Sequence, residues 1–222
     1  MSDVLTFPPA VSAELPGWVL WWANLAWGEG DEECLATLRA RVVARARASH
    51  RLEELADHPT VAAVRRLFRQ AGCDPTRYRP SSEALLRRVL KGEDLPAIHP
   101  LVDLNNCLSI ELVVPACVMA AGSVAGPVTL RAGRPGEAMA SLRGPFDLAG
   151  KPLLADQRGP FGTPITDSER VRVKAGTRQA VLVAYLPAGV VTAQCASTAL
   201  QALLAEAPVA TRGACGVSEK AN

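Results

Sequence analysis

A chain of 222 residues, 49% hydrophobic and 21% charged, has room for a proper buried core in one large domain or two small ones, and it excludes a disordered protein. Aromatic residues are only 5% of the chain, so a surface built to stack many nucleobases is excluded too. The net charge of +2 hides a local excess: residues 39–91 carry 13 Lys and Arg against 5 Asp and Glu, and 20 of the 24 basic residues are Arg. Contact with an RNA backbone is one reading of that segment, and a solvated helix surface is the other.

Residues 17–27, Gly-Trp-Val-Leu-Trp-Trp-Ala-Asn-Leu-Ala-Trp, concentrate aromatic and branched side chains and end at Gly28-Glu29-Gly30. They predict a buried strand whose tryptophans serve the core, the alternative being a stacking platform for bases. A helix is expected over 31–56, with Asp31 as its cap and Leu35, Leu38, Val42 and Val43 on one face. After the break at His58-Pro59, Val61, Val64, Leu67 and Phe68 mark a second helix that stops at Gly72. A third is expected from Ser81, taken as its N-cap, to Gly92, and a fourth over 101–110. Beyond Pro115, short strands are expected at 128–131, 151–155, 171–174 and 180–185. A last helix runs over 192–205 with Thr192 as its cap, and residues 207–222 read as a frayed tail. The fold class is therefore α+β: an N-terminal strand and helices packed on a β-rich half of mixed strand directions, one domain over residues 1–206.

Several chemistries have no signature here. No G-x-x-x-x-G-K-[S/T], H-E-x-x-H or G-x-S-x-G run occurs. The six cysteines form no C-x-x-C pair and are expected as buried thiols, and the three histidines are not spaced with them as metal ligands, so neither metal nor organic cofactor is expected. The start of the chain lacks the basic region of a signal peptide, and the apolar run near Trp18 is too short to span a membrane, so a cytoplasmic protein is expected.

Two runs are more specific. Residues 77–92 read Arg-Tyr-Arg-Pro-Ser-Ser-Glu-Ala-Leu-Leu-Arg-Arg-Val-Leu-Lys-Gly, and residues 95–106 read Leu-Pro-Ala-Ile-His-Pro-Leu-Val-Asp-Leu-Asn-Asn. Both resemble free-standing B3/B4 domain proteins, in which His99 is usually Asn. The second is similar also to a segment of the B3/B4 editing region of the phenylalanyl-tRNA synthetase β subunit. The resemblance continues more weakly through Leu130-Arg131, Pro135-Gly136-Glu137, Leu154-Ala155-Asp156 and Asp167-Ser168-Glu169-Arg170, covering residues 58–186.

The resemblance implies hydrolysis of the ester that joins a wrong amino acid to a tRNA 3′ end, with no cofactor and with aminoacylated tRNA as partner. The alternative it leaves open is a binder of tRNA or of an amino-acid-like ligand without turnover. Matching Thr177 to the family's Thr places the important carboxylate at Glu169, with Glu137 as the competing acid. Asn105, Cys117, Gly136, Glu137, Gly162 and Thr177 are the implied pocket residues, with backbone N–H groups near Gly136 or Gly162 facing an oxyanion. Cys117 and Ala120 depart from the pattern, standing where the synthetase has His and Asp. Arg77, Arg79, Arg87, Arg88 and Lys91 are the expected phosphate contacts. Since Arg87 and Arg88 diverge by about 100° on a helix, one of them is expected to reach RNA and the other an acidic partner.

Overall fold

The computed structural model describes residues 9–28 and 32–220. In chain order the elements are β1 (Ala10–Val11), β2 (Trp18–Trp27), α1 (Glu32–Ser49), α2 (Pro59–Gln70), α3 (Ser81–Leu90), α4 (Pro100–Leu112), β3 (Ala116–Ala120), β4 (Thr129–Ala132), β5 (Ala138–Ser141), β6 (Gly144–Asp147), β7 (Pro152–Asp156), β8 (Gly159–Gly162), β9 (Gln179–Pro187), α5 (Ala193–Glu206), β10 (Ala210–Val217) and β11 (Glu219–Lys220). The fold is α+β with mixed strand directions: β1 runs parallel to both β4 and β11, and the other pairings are antiparallel.

The central sheet has the order β10-β2-β9-β3. Its inner strands β2 and β9 are covered on both faces, which is why they read as continuous apolar runs rather than alternating ones. Side chains alternate across the sheet. Trp21, Ala23, Leu25, Val118, Leu182, Ala184 and Leu186 pack with α1, α3, α4 and α5, while Trp18, Leu20, Trp22, Cys117, Met119, Val181, Val183 and Tyr185 pack with α2 and the second sheet, ordered β11-β1-β4-β7-β8. The β5–β6 hairpin stands apart as a third, two-stranded sheet. The tryptophans of β2 are core residues: Trp18, Trp21 and Trp22 are all buried.

Caps explain where the helices begin. His58 Nδ1 accepts from the Thr60 N–H before α2, His99 Nδ1 from the Leu101 N–H before α4, and Thr192 Oγ1 from the Cys195 N–H before α5. Each of the first two is followed by Pro at the first helical position.

Several local expectations differ. The Asp31 cap lies outside the described residues. The first helix ends at Ser49, because His50 stacks edge-on against His58 with ring centroids 5.2 Å apart and Leu55 turns into the core. Pro80, not Ser81, sits at the cap of α3, and the Ser81 N–H is bound by the Pro164 carbonyl at 2.8 Å. Residues 171–174 do not form a strand. A 3-10 turn over Glu169–Val171 leads into them, and Val171 and Val173 are held by side-chain burial with no strand ladder. Residues 210–217, read as part of a frayed tail, form an edge strand against β2, with a bulge between Arg212 and Cys215. Cys73, Cys107 and Cys117 are buried and Cys34 is half-buried, whereas Cys195 and Cys215 are exposed.

Candidate functional site

A cleft of about 700 Å³ opens beside β3, the edge strand of the central sheet. One wall is a stripe of α4 formed by Val102, Asn105, Asn106 and Ser109, spaced three and four residues apart as neighbours on one helix face. Ala116 and Val118 of β3 continue that wall, and Val171 and Val173 line it from the following segment. Ala84 and Leu85 of α3, the β5–β6 hairpin and the Ile165–Asp167 loop close the remaining sides. The rim carries five arginines, Arg77, Arg79, Arg88, Arg143 and Arg172.

Three residues that line the cleft each carry a buried side-chain atom without a hydrogen bond: Asn105 Oδ1, Asp167 Oδ1, which lies toward Gly162, and Arg79 Nε, which still has the Glu83 carboxylate at 3.3 Å. Asn105 spends its amide nitrogen on the Ala116 carbonyl at 3.4 Å. Asp167 as a residue is half-buried, but Oδ1 is shut off from solvent. Burial without a compensating cation raises its carboxyl to about 7 from the usual 3.8. Buried polar atoms are nearly always satisfied, so two orphans in residues of one concave wall make it the candidate site. The loop that aims Asp167 is tightly built. Thr163 Oγ1 donates to the Thr166 carbonyl and accepts from the Ile165 and Thr166 N–H groups, while the Asp167 carbonyl accepts from the Leu142 N–H at the hairpin tip. Gly162 pairs with Asp167 across a β-bridge, and a Cβ at 162 would come within 3.1 Å of Asp167 Oδ1. Glycine there keeps the space the carboxyl occupies.

The residues implied by the sequence divide sharply. Asn105, Arg77, Arg79 and Arg88 line the cleft, and Gly162 borders it through Asp167. Glu169 does not line it. That side chain is 47% exposed on the 3-10 turn and lies 3.5 Å from Arg172, a surface pair. Asp167, two residues earlier, does line it. Cys117 is not a cleft residue, because alternation along β3 sends its thiol to the opposite face of the sheet, 3.7 Å from the Tyr185 hydroxyl. Complete burial pushes that thiol well above its ordinary pKa, which leaves it unreactive. Thr177 serves a turn, its Oγ1 accepting from the Lys174 N–H. Gly136 has φ +81° in the turn before β5, with nothing beside it. Glu137 braces that turn, held by Arg131 at 2.7 and 2.8 Å and by the Arg134 N–H at 2.7 Å.

Those contacts, the Arg131 hydrogen bond foremost, hold the Glu137 carboxyl down at about 2. A depressed acid stabilises the fold above its ordinary pKa and loses that contribution as pH falls through about 2. Glu137→Gln is therefore expected to cost about 1 kcal/mol at pH 7 and nothing measurable near pH 2, read by urea unfolding at the two values. An equal cost at both would assign the loss to packing rather than charge.

The basic segment is largely spent on internal partners. Arg39 pairs with Asp103 at 2.5 Å, Arg41 with Glu206, Arg45 with Glu111 at 2.6 Å, and Arg47 Nε donates to the Val89 carbonyl. Arg87 turns back to Glu83 at 4.0 Å, whereas its neighbour Arg88 faces the cleft while paired with Glu93 at 2.8 Å. Lys91 is exposed at the end of α3 and does not line the cleft. Sequence reading missed Asp167, Asn106, Ser109, Arg143 and Arg172. The polar stripe at 105, 106 and 109 on an otherwise apolar helix was the available signal.

Residues 63–202 match the B3/4 domain family, well over half of the chain. The chain belongs to the B3/4 domain family. This is the family that residues 77–106 resemble, and the match takes in α3, α4, the hairpin and the Asp167 loop, hence nearly every wall of the cleft. A solved N-terminal fragment of the phenylalanyl-tRNA synthetase beta subunit from Pyrococcus horikoshii is similar at 14% identity with a TM-score of 0.47. The similarity covers 96% of this B3/4 chain and 51% of that fragment, so this chain spans about half its length. No curated protein matches. Among the described residues no helix is long and apolar enough to cross a membrane, and no group of three or more His, Cys, Asp and Glu is placed to hold a metal ion.

Proposed function

We propose that this B3/4 domain takes the aminoacylated 3′ end of a tRNA into the cleft and hydrolyses the ester. The observation that carries the reading is Asp167, a residue that lines an arginine-rimmed cleft and whose carboxyl has one buried oxygen without a partner. Asp167 accepts a proton from water as the water oxygen attacks the ester carbonyl carbon. The tetrahedral intermediate collapses, the bond to the ribose 3′ oxygen breaks, and Asp167 returns the proton to that oxygen. Free amino acid and tRNA leave, and Asp167 is again ionised. Asn105 Oδ1, an acceptor with no other partner, suits the α-ammonium group of the bound aminoacyl unit. Arg77, Arg79, Arg88, Arg143 and Arg172 face the phosphates of the terminal nucleotides.

A deacylation assay across tRNAs charged with each amino acid tests the reading. At least one substrate is expected to be cleaved, with Glu169→Gln at full rate, since Glu169 stands outside the cleft. Binding should weaken steeply between 50 and 200 mM salt, as about five neutralised phosphates require. Failure to cleave any substrate, with salt-sensitive tRNA binding intact, would replace hydrolysis by binding alone. The absence of a cleft-facing group at position 117 favours that second reading.

A further inference from the structure

We infer that the mouth of the cleft is a nucleoside subsite in which Ile98 and Leu142 contact the terminal base of a single-stranded RNA. The assignment rests on the proposed tRNA-end reading of the same cleft. Among the described residues four large hydrophobic side chains are exposed, Ile98 at 62%, Leu142 at 45%, Val190 and Val217, and the first two both line the cleft. They come from unrelated elements, the loop before α4 and the tip of the β5–β6 hairpin, so the fold brings them to one opening without any need of its own core for either. Exposed apolar side chains at a concave mouth mark a surface that a ligand covers.

The charge around them selects the ligand. Of the five arginines that line the cleft, Arg79, Arg88 and Arg172 are paired with Glu83, Glu93 and Glu169, none of which lines it, while Arg77 and Arg143 have no ion pair among the described residues; with Asp167 as its one lining carboxylate, the cleft suits an anionic chain carrying a flat apolar group rather than an acidic or neutral peptide. The aromatic rings of the cleft are already engaged. Lys151 Nζ lies 4.1 Å from the centre of the Tyr78 ring, the Arg77 guanidinium lies 5.1 Å from it, and Phe146 packs edge-on against it at 6.0 Å. The faces free to meet a base are therefore aliphatic. Both side chains sit on rigid supports. The Ile98 N–H donates to Asp103 Oδ1 at 2.9 Å, and the Leu142 N–H donates to the Asp167 carbonyl at 3.0 Å. The second bond ties the base contact to the loop that carries the proposed general base.

The test measures binding alone, by fluorescence anisotropy, with a labelled RNA ending in CCA and the same RNA bearing an abasic residue in place of the terminal adenosine. The wild-type chain is expected to prefer the intact end by about tenfold. The double variant Ile98→Ser, Leu142→Ser should erase that preference while binding the abasic RNA as before and melting at the wild-type temperature, because neither side chain is in the core. Arg143→Ala should weaken both RNAs alike. Equal wild-type binding of the two RNAs, no binding of either, or a preference that survives the double variant would overturn the subsite. Deacylation does not enter the readout. A chain that prefers the intact end without cleaving any ester keeps the subsite and loses only the hydrolytic reading, and the reverse result does the opposite.

Discussion

Replacing Asp167 by Asn is expected to abolish deacylation and, at the same time, to make the protein more stable. One oxygen of the carboxyl, Oδ1, is shut off from solvent and has no partner, and the carboxyl pKa of about 7 lies above the usual 3.8. The native state therefore binds the proton more tightly than the unfolded chain. Stability falls as pH rises from about 4 to about 7, and above 7 the full cost of the buried charge is present, on the order of 2–4 kcal/mol. Asn keeps the shape and removes the charge. Asp167→Asn should gain that amount at pH 8 and less than about 1 kcal/mol at pH 4, measured by urea unfolding. Turnover should drop by about 10²–10⁴-fold with RNA affinity nearly unchanged. In the wild type, kcat/KM should climb with pH up to about 7 and then level off. A destabilised Asp167→Asn at pH 8 would mean that the ionised carboxylate is held favourably, and the case for a poised base would fall. Sites that cost stability in this way are where function is expected to reside.

Glu83→Gln is the substitution expected to cost the most stability. Glu83 is 1% exposed at the start of α3 and meets Arg65 at 2.6 and 2.8 Å, Arg79 at 3.3 Å and Arg87 at 4.0 Å. The carboxylate joins α2, the 77–80 loop and α3 through one buried point. Removing its charge leaves guanidinium groups facing each other with no counter-ion. The expected loss is about 3 kcal/mol, because breaking a buried pair exposes the desolvation cost that the pair had offset. Urea unfolding should show a lower midpoint at unchanged slope. A loss under about 1 kcal/mol would show that water reaches the cluster and screens it. Cleft binding should weaken as well, since Arg79, which lines the cleft, is held by this anchor.

Glu83 also shows what the sequence conveyed and what it concealed. Helices α1, α2, α4 and α5 are legible because apolar spacing and capping residues are local signals, and α3 because Pro80 and Gly92 bracket it. Strand β2 is legible because burial on both faces leaves it continuously apolar. Strand β10 is not, since Ala210–Val217 is small, polar and exposed, and only pairing with β2 makes it a strand. The Val-Arg-Val-Lys run at 171–174 alternates like a strand, yet alternation records burial on one side and says nothing of a ladder partner. The family register drew the reading to Glu169. Whether a carboxylate is solvated or orphaned depends on how the chain packs around it, here on Gly162 and Thr163 of its own loop and on Leu142 and Tyr185 farther along, so Asp167 and Glu169 cannot be told apart by type. Nor does sequence show that Glu83 gathers Arg65, Arg79 and Arg87, although it does show an excess of arginine seeking partners.

Strand β9 is a party wall. Leu182 and Leu186 belong to the helical layer, and Val181, Val183 and Tyr185 to the layer beyond, so neither half of the molecule owns a complete interior. Peeling the helices from the central sheet would strip one side of a strand whose other side still holds the second sheet in register. Intermediates that keep one layer and lose the other are thereby made costly, which favours cooperative unfolding. The cleft borrows its floor from β3, which is zipped to β9 from Ala116 to Ala120. That side of the cleft is then as durable as the central sheet itself.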